Sequence, residues 1–234
     1  VVRGVLILRI FAVKARSSLH YLSGKNFKMA YQFTNNWFEA GAKAVWDVLI
    51  PQVFPTRILE IGSYEGASTC YVIEKLGVSK AIELHCVDTW EGGIEHQDAG
   101  IQMQSVEQRF HHNTQLAVAR IQHPVELVTH KGYSDRVLAK LIAEGKQGYF
   151  DFIYIDGSHQ APDVLCDAVL SFKLLKTHGV MAFDDYLWQE SLPNGADPIR
   201  CPKVAIDAFT NIYCRKLRIL RAPLYQLYVE KISD

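Results

Sequence analysis

The chain has 234 residues, 49% hydrophobic and 21% charged, which suits one α/β domain with a sizeable core and is too apolar for disorder. Lys+Arg and Asp+Glu both number 25, so no overall field recruits nucleic acid or an anionic membrane, and neither is expected as a partner. The five cysteines include no C-x-x-C pair, which argues against a disulfide framework or a zinc ribbon, and no apolar run approaches the roughly 20 residues of a transmembrane helix.

Residues 1–28 hold six basic residues (Arg3, Arg9, Lys14, Arg16, Lys25 and Lys28) and no acid. An acid-free, Arg-bearing start is the pattern of an organelle transit peptide, yet Arg9 interrupts the run Val5 to Val13 as a secretory core. The segment is read as a basic extension outside the fold, residues 29–234 as a single domain, and the compartment as the cytoplasm, with organelle targeting left open.

From Asn35 to Ile50 apolar residues recur at helical spacing, and Pro51 with Pro55 is expected to close that helix. Aliphatic runs then follow at Arg57 to Ile61, Ile82 to Val87, Val125 to Thr129, Phe150 to Ile155 and Gly179 to Phe183. Helical periodicity fills the gaps at Ala67 to Leu76, Ile101 to Ile121, Asp135 to Ala143 and Pro162 to Leu175. Strands buried on both faces and alternating with helices specify a mainly parallel sheet, because each parallel return needs a crossover. In the tail, a helix at Val204 to Tyr213 precedes β-like runs at Leu217 to Leu220 and Leu224 to Val229, separated by Arg221-Ala222-Pro223, which predicts a closing antiparallel hairpin. The expected architecture is a doubly wound α/β fold of seven strands with helices on both faces.

In an open parallel sheet ligands bind beyond the carboxyl ends of the strands. The first strand leads into Glu60-Ile61-Gly62-Ser63-Tyr64-Glu65-Gly66-Ala67-Ser68, an E-x-G-x-x-x-G turn. Its glycines allow tight turning and close approach, and the helix opening near Gly66 offers free amide N–H groups to an anion. A nicotinamide dehydrogenase would need G-x-G-x-x-G instead. Glu60 would repel a pyrophosphate but hold an ammonium, which favours an amino-acid-bearing nucleoside. Asp88, ending the second strand, can accept from both ribose hydroxyls. Thr89 and Trp90 follow, and Trp90 is either a cover for a base or a buried structural tryptophan.

On these residues the chain resembles the class I S-adenosylmethionine-dependent methyltransferases, whose sheet is Rossmann-like. The turn E-I-G-S-Y-E-G-A-S is similar to the E-L-G-A-Y-C-G-Y-S of small metal-dependent O-methyltransferases typified by catechol O-methyltransferase. The resemblance implies that Glu60, Gly62, Tyr64 and Ser68 hold the methionine portion of S-adenosylmethionine, with Asp88 on the ribose; Ser63, Gly66, Thr89, Trp90 and Asp156 are read as further cofactor-binding residues. It carries Ser134 and Asp135, from Lys131-Gly132-Tyr133-Ser134-Asp135, to the adenine.

The fourth strand runs into Asp156-Gly157-Ser158-His159 and the fifth into Asp184-Asp185-Tyr186. Three carboxylates brought together resist ionisation without a cation, and such oxygen ligands suit Mg²⁺ or another hard divalent ion. In the similar O-methyltransferases, including macrolide-sugar relatives, acids at these places bind a metal; otherwise Asp-Gly is a turn and Asp184 a loop cap. His159 is either the general base of methyl transfer, working beside Asp156, or a hydrogen bonder of its loop. The resemblance places Trp37, Tyr186 and Trp188 about the acceptor, with core packing the other reading of Trp37, and Gln189 to Lys203 reads as a loop able to act as a lid. A small hydroxylated metabolite is the expected acceptor, and homo-oligomerisation is left open. The competing readings are a hydroxylase-like relative and a non-catalytic nucleoside-binding protein on the same fold.

Overall fold

The computed structural model describes residues 30–94, 96 and 100–234; the basic segment 1–28 lies outside them. One seven-stranded sheet runs in the order β3-β2-β1-β4-β5-β7-β6. Its strands are β1 (Arg57–Ile61), β2 (Ile82–Asp88), β3 (Val125–Lys131), β4 (Phe150–Ile155), β5 (Leu175–Phe183), β6 (Leu217–Ile219) and β7 (Leu227–Lys231). The first five pair in parallel, whereas β7 runs antiparallel to both β5 and β6.

Alternation along the strands sends side chains to two cores, which is why these runs are apolar throughout. One face presents Ile58, Leu84, Cys86, Phe152, Tyr154, Val180, Ala182 and Tyr228 to α2 (Lys43–Val53), α3 (Ala67–Gly77) and α4 (Val106–Arg120). The opposite face presents Leu59, Ile61, Val87, Ile153, Ile155, Met181, Phe183 and Val229 to α5 (Ser134–Ala143), α6 (Ala161–Leu174) and α7 (Pro202–Ile212). The doubly wound expectation and the closing hairpin are therefore both observed. No helix among the described residues is long and apolar enough to cross a membrane.

The first predicted helix departs from expectation at both ends. A single turn, α1 (Trp37–Ala40), breaks at Gly41, and α2 then runs through Pro51 to Val53 before Phe54 stops it in the left-handed region at φ 45°. Proline so near a helix end removes one N–H bond but leaves only two residues to distort, and buried Trp46 and Ile50 hold the helix on the sheet. Strand β5 also begins earlier than predicted, at Leu175, with a register irregularity between Phe150 and Phe152 on its partner. The polar stretch Lys176-Thr177-His178 hid that extension.

Candidate active site at the strand tips

The parallel register sets Ile61 beside Val87, so Glu60 and Asp88 end neighbouring strands. Between them the chain turns sharply: Gly62 at φ 85°, Tyr64 at φ 46° and Gly66 at φ 79° all adopt the left-handed region. Gly62 has a second reason to be glycine, since a Cβ there would lie 1.9 Å from the carbonyl oxygen of Asp156. The Gly66 N–H donates to Ser63 O at 2.7 Å, and α3 starts with no side-chain cap, leaving its first amides free to receive an anion.

Asp88 ties this loop down. Its carboxylate accepts the backbone N–H of Tyr64 and that of Trp90, each at 2.7 Å. Burial lifts its pKa above the ordinary value, and the bonds from Trp90, Tyr64 and Ser63 oppose that rise. These donors do not exhaust four carboxylate acceptor sites, so the group can still receive hydroxyls.

Glu60 corrects the simplest charge argument. It is 3% exposed, and its oxygens accept from the hydroxyls of Ser63 at 3.0 Å, Ser68 and Thr69, with the Cys86 thiol at 3.5 Å. Burial pushes its pKa up while those bonds pull it down. Expected to present its charge to an ammonium, Glu60 is instead spent on the first turn of α3, and it shapes the loop from beneath. Ser63 and Ser68 are buried with it. Trp90 is also internal, at 5% exposure: its ring lies 5.1 Å from that of Phe110 and its indole N–H donates to Tyr64 O at 2.9 Å. Thr89 caps its own turn by accepting from Glu91 N–H at 3.1 Å.

At the third strand tip Asp135 is exposed and Ser134 half-buried, with its side chain close enough to Asp167 of α6 to favour that residue's charged form. Sequence reasoning missed Asp167, which is 1% exposed, carries an unpaired Oδ1 and is pushed up to about 7 by burial. A buried acid inside a helical run gives no motif by which to find it.

The tips of β4 and β5 line a small, tight pocket that includes Asp156, Gly157, Ser158, His159, Asp184 and Asp185. His159 Nε2 lies 2.9 Å from Asp185 Oδ2, and its ring packs on Trp188 with centroids 4.1 Å apart. Burial pushes the Asp156 carboxyl well above its ordinary range, helped by the charges of Asp184 and Asp185, while burial and Asp185 push Asp184 up to about 6. Asp184 is bound on both oxygens: Oδ1 accepts the backbone N–H of Asp185 at 2.8 Å, and Oδ2 accepts Gln226 Nε2 at 2.9 Å and the Tyr154 hydroxyl. Behind Gln226 the chain of bonds continues through Tyr228 to the indole N–H of Trp46, which meets the Tyr228 hydroxyl at 3.1 Å. Gln226 and Tyr154 went unnoticed in sequence because each sits in a run that reads as plain strand.

The donor chemistry of these three acids suits a hard divalent ion, but their placement does not. Among the described residues no group of three His, Cys, Asp or Glu side chains is set to hold a metal. Asp184 is committed to its protein partners and Asp185 to His159, so the predicted ligand set of Asp156, Asp184 and Asp185 is not assembled.

Of the aromatic residues, Trp37 is 54% exposed and therefore not core. Its ring lies 5.3 Å from Tyr64 and 6.2 Å from His96, at the outer side of the glycine loop. Tyr186 donates to Asp207 at 2.7 Å. The stretch Gln189 to Lys203 is pinned by an Arg200–Glu190 ion pair at 2.5 Å and borders a separate apolar hollow with Val204 and Asp207.

A 3-2-1-4-5-7-6 sheet with β7 reversed, a left-handed glycine loop on β1 and an acid on β2 define a nucleoside-binding α/β fold of the class I methyltransferase type. A family profile described as a methyltransferase domain matches residues 59–186, more than half of the chain, and the chain belongs to the S-adenosylmethionine-dependent methyltransferase family. The chain is 25% identical over 165 residues to a probable caffeoyl-CoA O-methyltransferase 3 of Dictyostelium discoideum, a match that spans 67% of this chain and 57% of that protein. The fold is shared with the O-methyltransferase of Bacillus cereus, solved in complex with SAH, at TM-score 0.53 and 19% identity over 86% of this chain and 84% of that one. It is shared as well with the O-methyltransferase TomG of Streptomyces achromogenes, which is involved in tomaymycin synthesis and was solved with SAM, at TM-score 0.56 and 17% identity over 81% and 78% of the two chains.

Proposed function

We propose that this chain moves the methyl group of S-adenosylmethionine to a hydroxyl oxygen of a small acceptor, with His159 receiving the hydroxyl proton. The loop Gly62 to Gly66 and the free amides opening α3 receive the methionine portion, Asp88 the ribose, and Ser134 with Asp135 the adenine edge. The sulfonium already makes the methyl electrophilic, so the protein's task is alignment and removal of one proton. The O–CH₃ bond forms as the S–CH₃ bond breaks, S-adenosylhomocysteine leaves as a neutral thioether, and the proton passes to His159.

The observation that carries this reading is the His159–Asp185 pair at 2.9 Å, placed at the strand tips beside a loop of methyltransferase form. A carboxylate bonded to one ring nitrogen fixes the tautomer and supports the cation formed after proton uptake, the arrangement a general base needs. No step is assigned to a metal, because the three acids are not grouped as ligands. The five cysteines, none of them in a disulfide, support work in a reducing compartment such as the cytoplasm.

Calorimetry with S-adenosylmethionine, S-adenosylhomocysteine and NAD tests the cofactor, and release of S-adenosylhomocysteine across a panel of catechols, sugars and other hydroxylated metabolites tests the reaction. Binding of the first two without NAD, and His159→Ala with kcat reduced by roughly 10²-fold or more at unchanged cofactor affinity, are the expected results. A His159→Ala variant as fast as wild type would remove the histidine from the reaction. Cofactor binding without turnover on any acceptor would favour the non-catalytic reading.

A further inference from the structure

Glu65 is a buried acid on the glycine loop that the methyl-transfer reading does not use. It is 2% exposed and meets the segment 30–36 that precedes α1. Thr34 reaches it twice, by its backbone N–H to Oε2 and by its hydroxyl to Oε1, each at 2.7 Å. From the other side Arg109 of α4 bonds Oε1 through Nε at 2.5 Å. The next contact along the segment is again to the loop: Asn113 of α4 accepts Gln32 N–H at 2.7 Å and donates to the Glu65 carbonyl at 2.9 Å. Tyr31 then donates to Glu74 of α3 at 2.5 Å, and Arg120 lies over its ring at 4.4 Å. Three residues beyond Thr34 stands exposed Trp37, in contact with Tyr64, the neighbour of Glu65.

The segment thus crosses α3 and α4 as a strap whose fixed point is one carboxylate in the cofactor loop. Burying Glu65 is tolerable because a guanidinium and two Thr34 donors satisfy it, and removing those donors would leave a charge in the interior. A strap held this way restrains the backbone at residues 64–66, where two left-handed residues must keep their shape for the loop to receive a ligand.

We infer that Glu65 is a positioning residue for cofactor binding: by clamping Thr34 and Arg109 it couples the 30–36 strap, with Trp37 beyond it, to the glycine loop. The inference rests on the cofactor reading above. If the clamp holds the loop in its receptive form, loosening the strap lowers the fraction of protein able to bind and weakens affinity without touching the ligand.

The test uses Thr34→Val and Glu65→Gln separately and together. Thr34 is exposed, so the valine variant removes one hydroxyl donor with little threat to folding; glutamine keeps one acceptor while setting an amide against Arg109. Hydrogen exchange of residues 31–36 reads the strap, and calorimetry with S-adenosylhomocysteine reads the loop. The expected outcome is faster exchange and about tenfold weaker binding in each single variant, the scale of one lost charge-assisted hydrogen bond, with the double variant no worse than Glu65→Gln alone. Faster exchange at unchanged affinity would make the strap merely structural, weaker binding at unchanged exchange would mean that Glu65 acts on the ligand directly, and no change in either would dismiss the clamp; each overturns the inference. Wild-type protein that binds no S-adenosylhomocysteine overturns the cofactor reading and the coupling with it, whereas equal binding by all forms overturns the coupling alone.

Discussion

Asp167 offers the sharpest quantitative test of the interior. It lies in α6, 1% exposed, with its Oδ1 unpaired and the Ser134 hydroxyl nearby. Burial pushes its pKa from 3.8 up to about 7, against the pull of that hydroxyl. The folded form therefore holds a proton that the unfolded chain releases above pH 4. Stability from this group is fully present below about pH 4 and is lost as the pH rises through about 7. Each tenfold change in proton affinity is worth about 1.36 kcal/mol, so wild type forgoes at most about 4 kcal/mol by pH 8. Asp167→Asn has the same shape and no charge to lose. Urea unfolding at pH 4.5 and pH 8 should show the variant level with wild type at the lower pH and about 2–4 kcal/mol more stable at the higher one. A difference of the same size at both pH values would refute the claim that Asp167 is driven neutral by its surroundings.

The buried pair His85 and His130 should act in the opposite direction. Their nitrogens meet at 2.9 Å, and burial, then the neighbouring His85, pushes His130 down to about 4. The unfolded chain takes up protons first, so stability falls as the pH drops from about 6.5 toward 4, and His130→Gln should flatten that acid limb in thermal melts at pH 4.5–7. A limb as steep as wild type would acquit the pair. Gln226→Leu removes the link between Asp184 and Tyr228 and leaves buried groups unpaired, an expected loss of about 1–3 kcal/mol in urea unfolding. Because the glycine loop and Asp88 need no divalent ion, EDTA treatment should leave S-adenosylhomocysteine affinity within about twofold in calorimetry. A larger fall would place an ion in the cofactor cradle.

Much of the architecture was legible in the chain because its physical cause is local. Arg57–Ile61 and Phe150–Ile155 were predicted to the residue, since strands buried on both faces leave unbroken apolar runs between turn signals. The glycine turn was equally plain, because left-handed backbone demands Gly62 and Gly66 at fixed offsets. What escaped depends on partners distant in sequence. Glu60 looks like a ligand-facing acid until Ser68, Thr69 and Cys86 are seen around it. Trp90 is consigned to the interior by Phe110, and Trp37 is kept out of it by the break at Gly41. Glu65, Asp167 and Gln226 carry no spacing signal at all, because a buried polar side chain is defined by what satisfies it.

The bond from Trp46 to Tyr228 spans 182 positions, and β7 supplies both Tyr228 and, just before its first residue, Gln226. During synthesis, the five parallel strands, β6 and the helices α1 to α7 leave the ribosome before that strand does. Until it inserts beside β5, Asp184 lacks its amide donor and the N-terminal helix α2 lacks its polar anchor. The pocket thus matures only when the last strand docks, which makes that docking a built-in checkpoint between a folded scaffold and a working site.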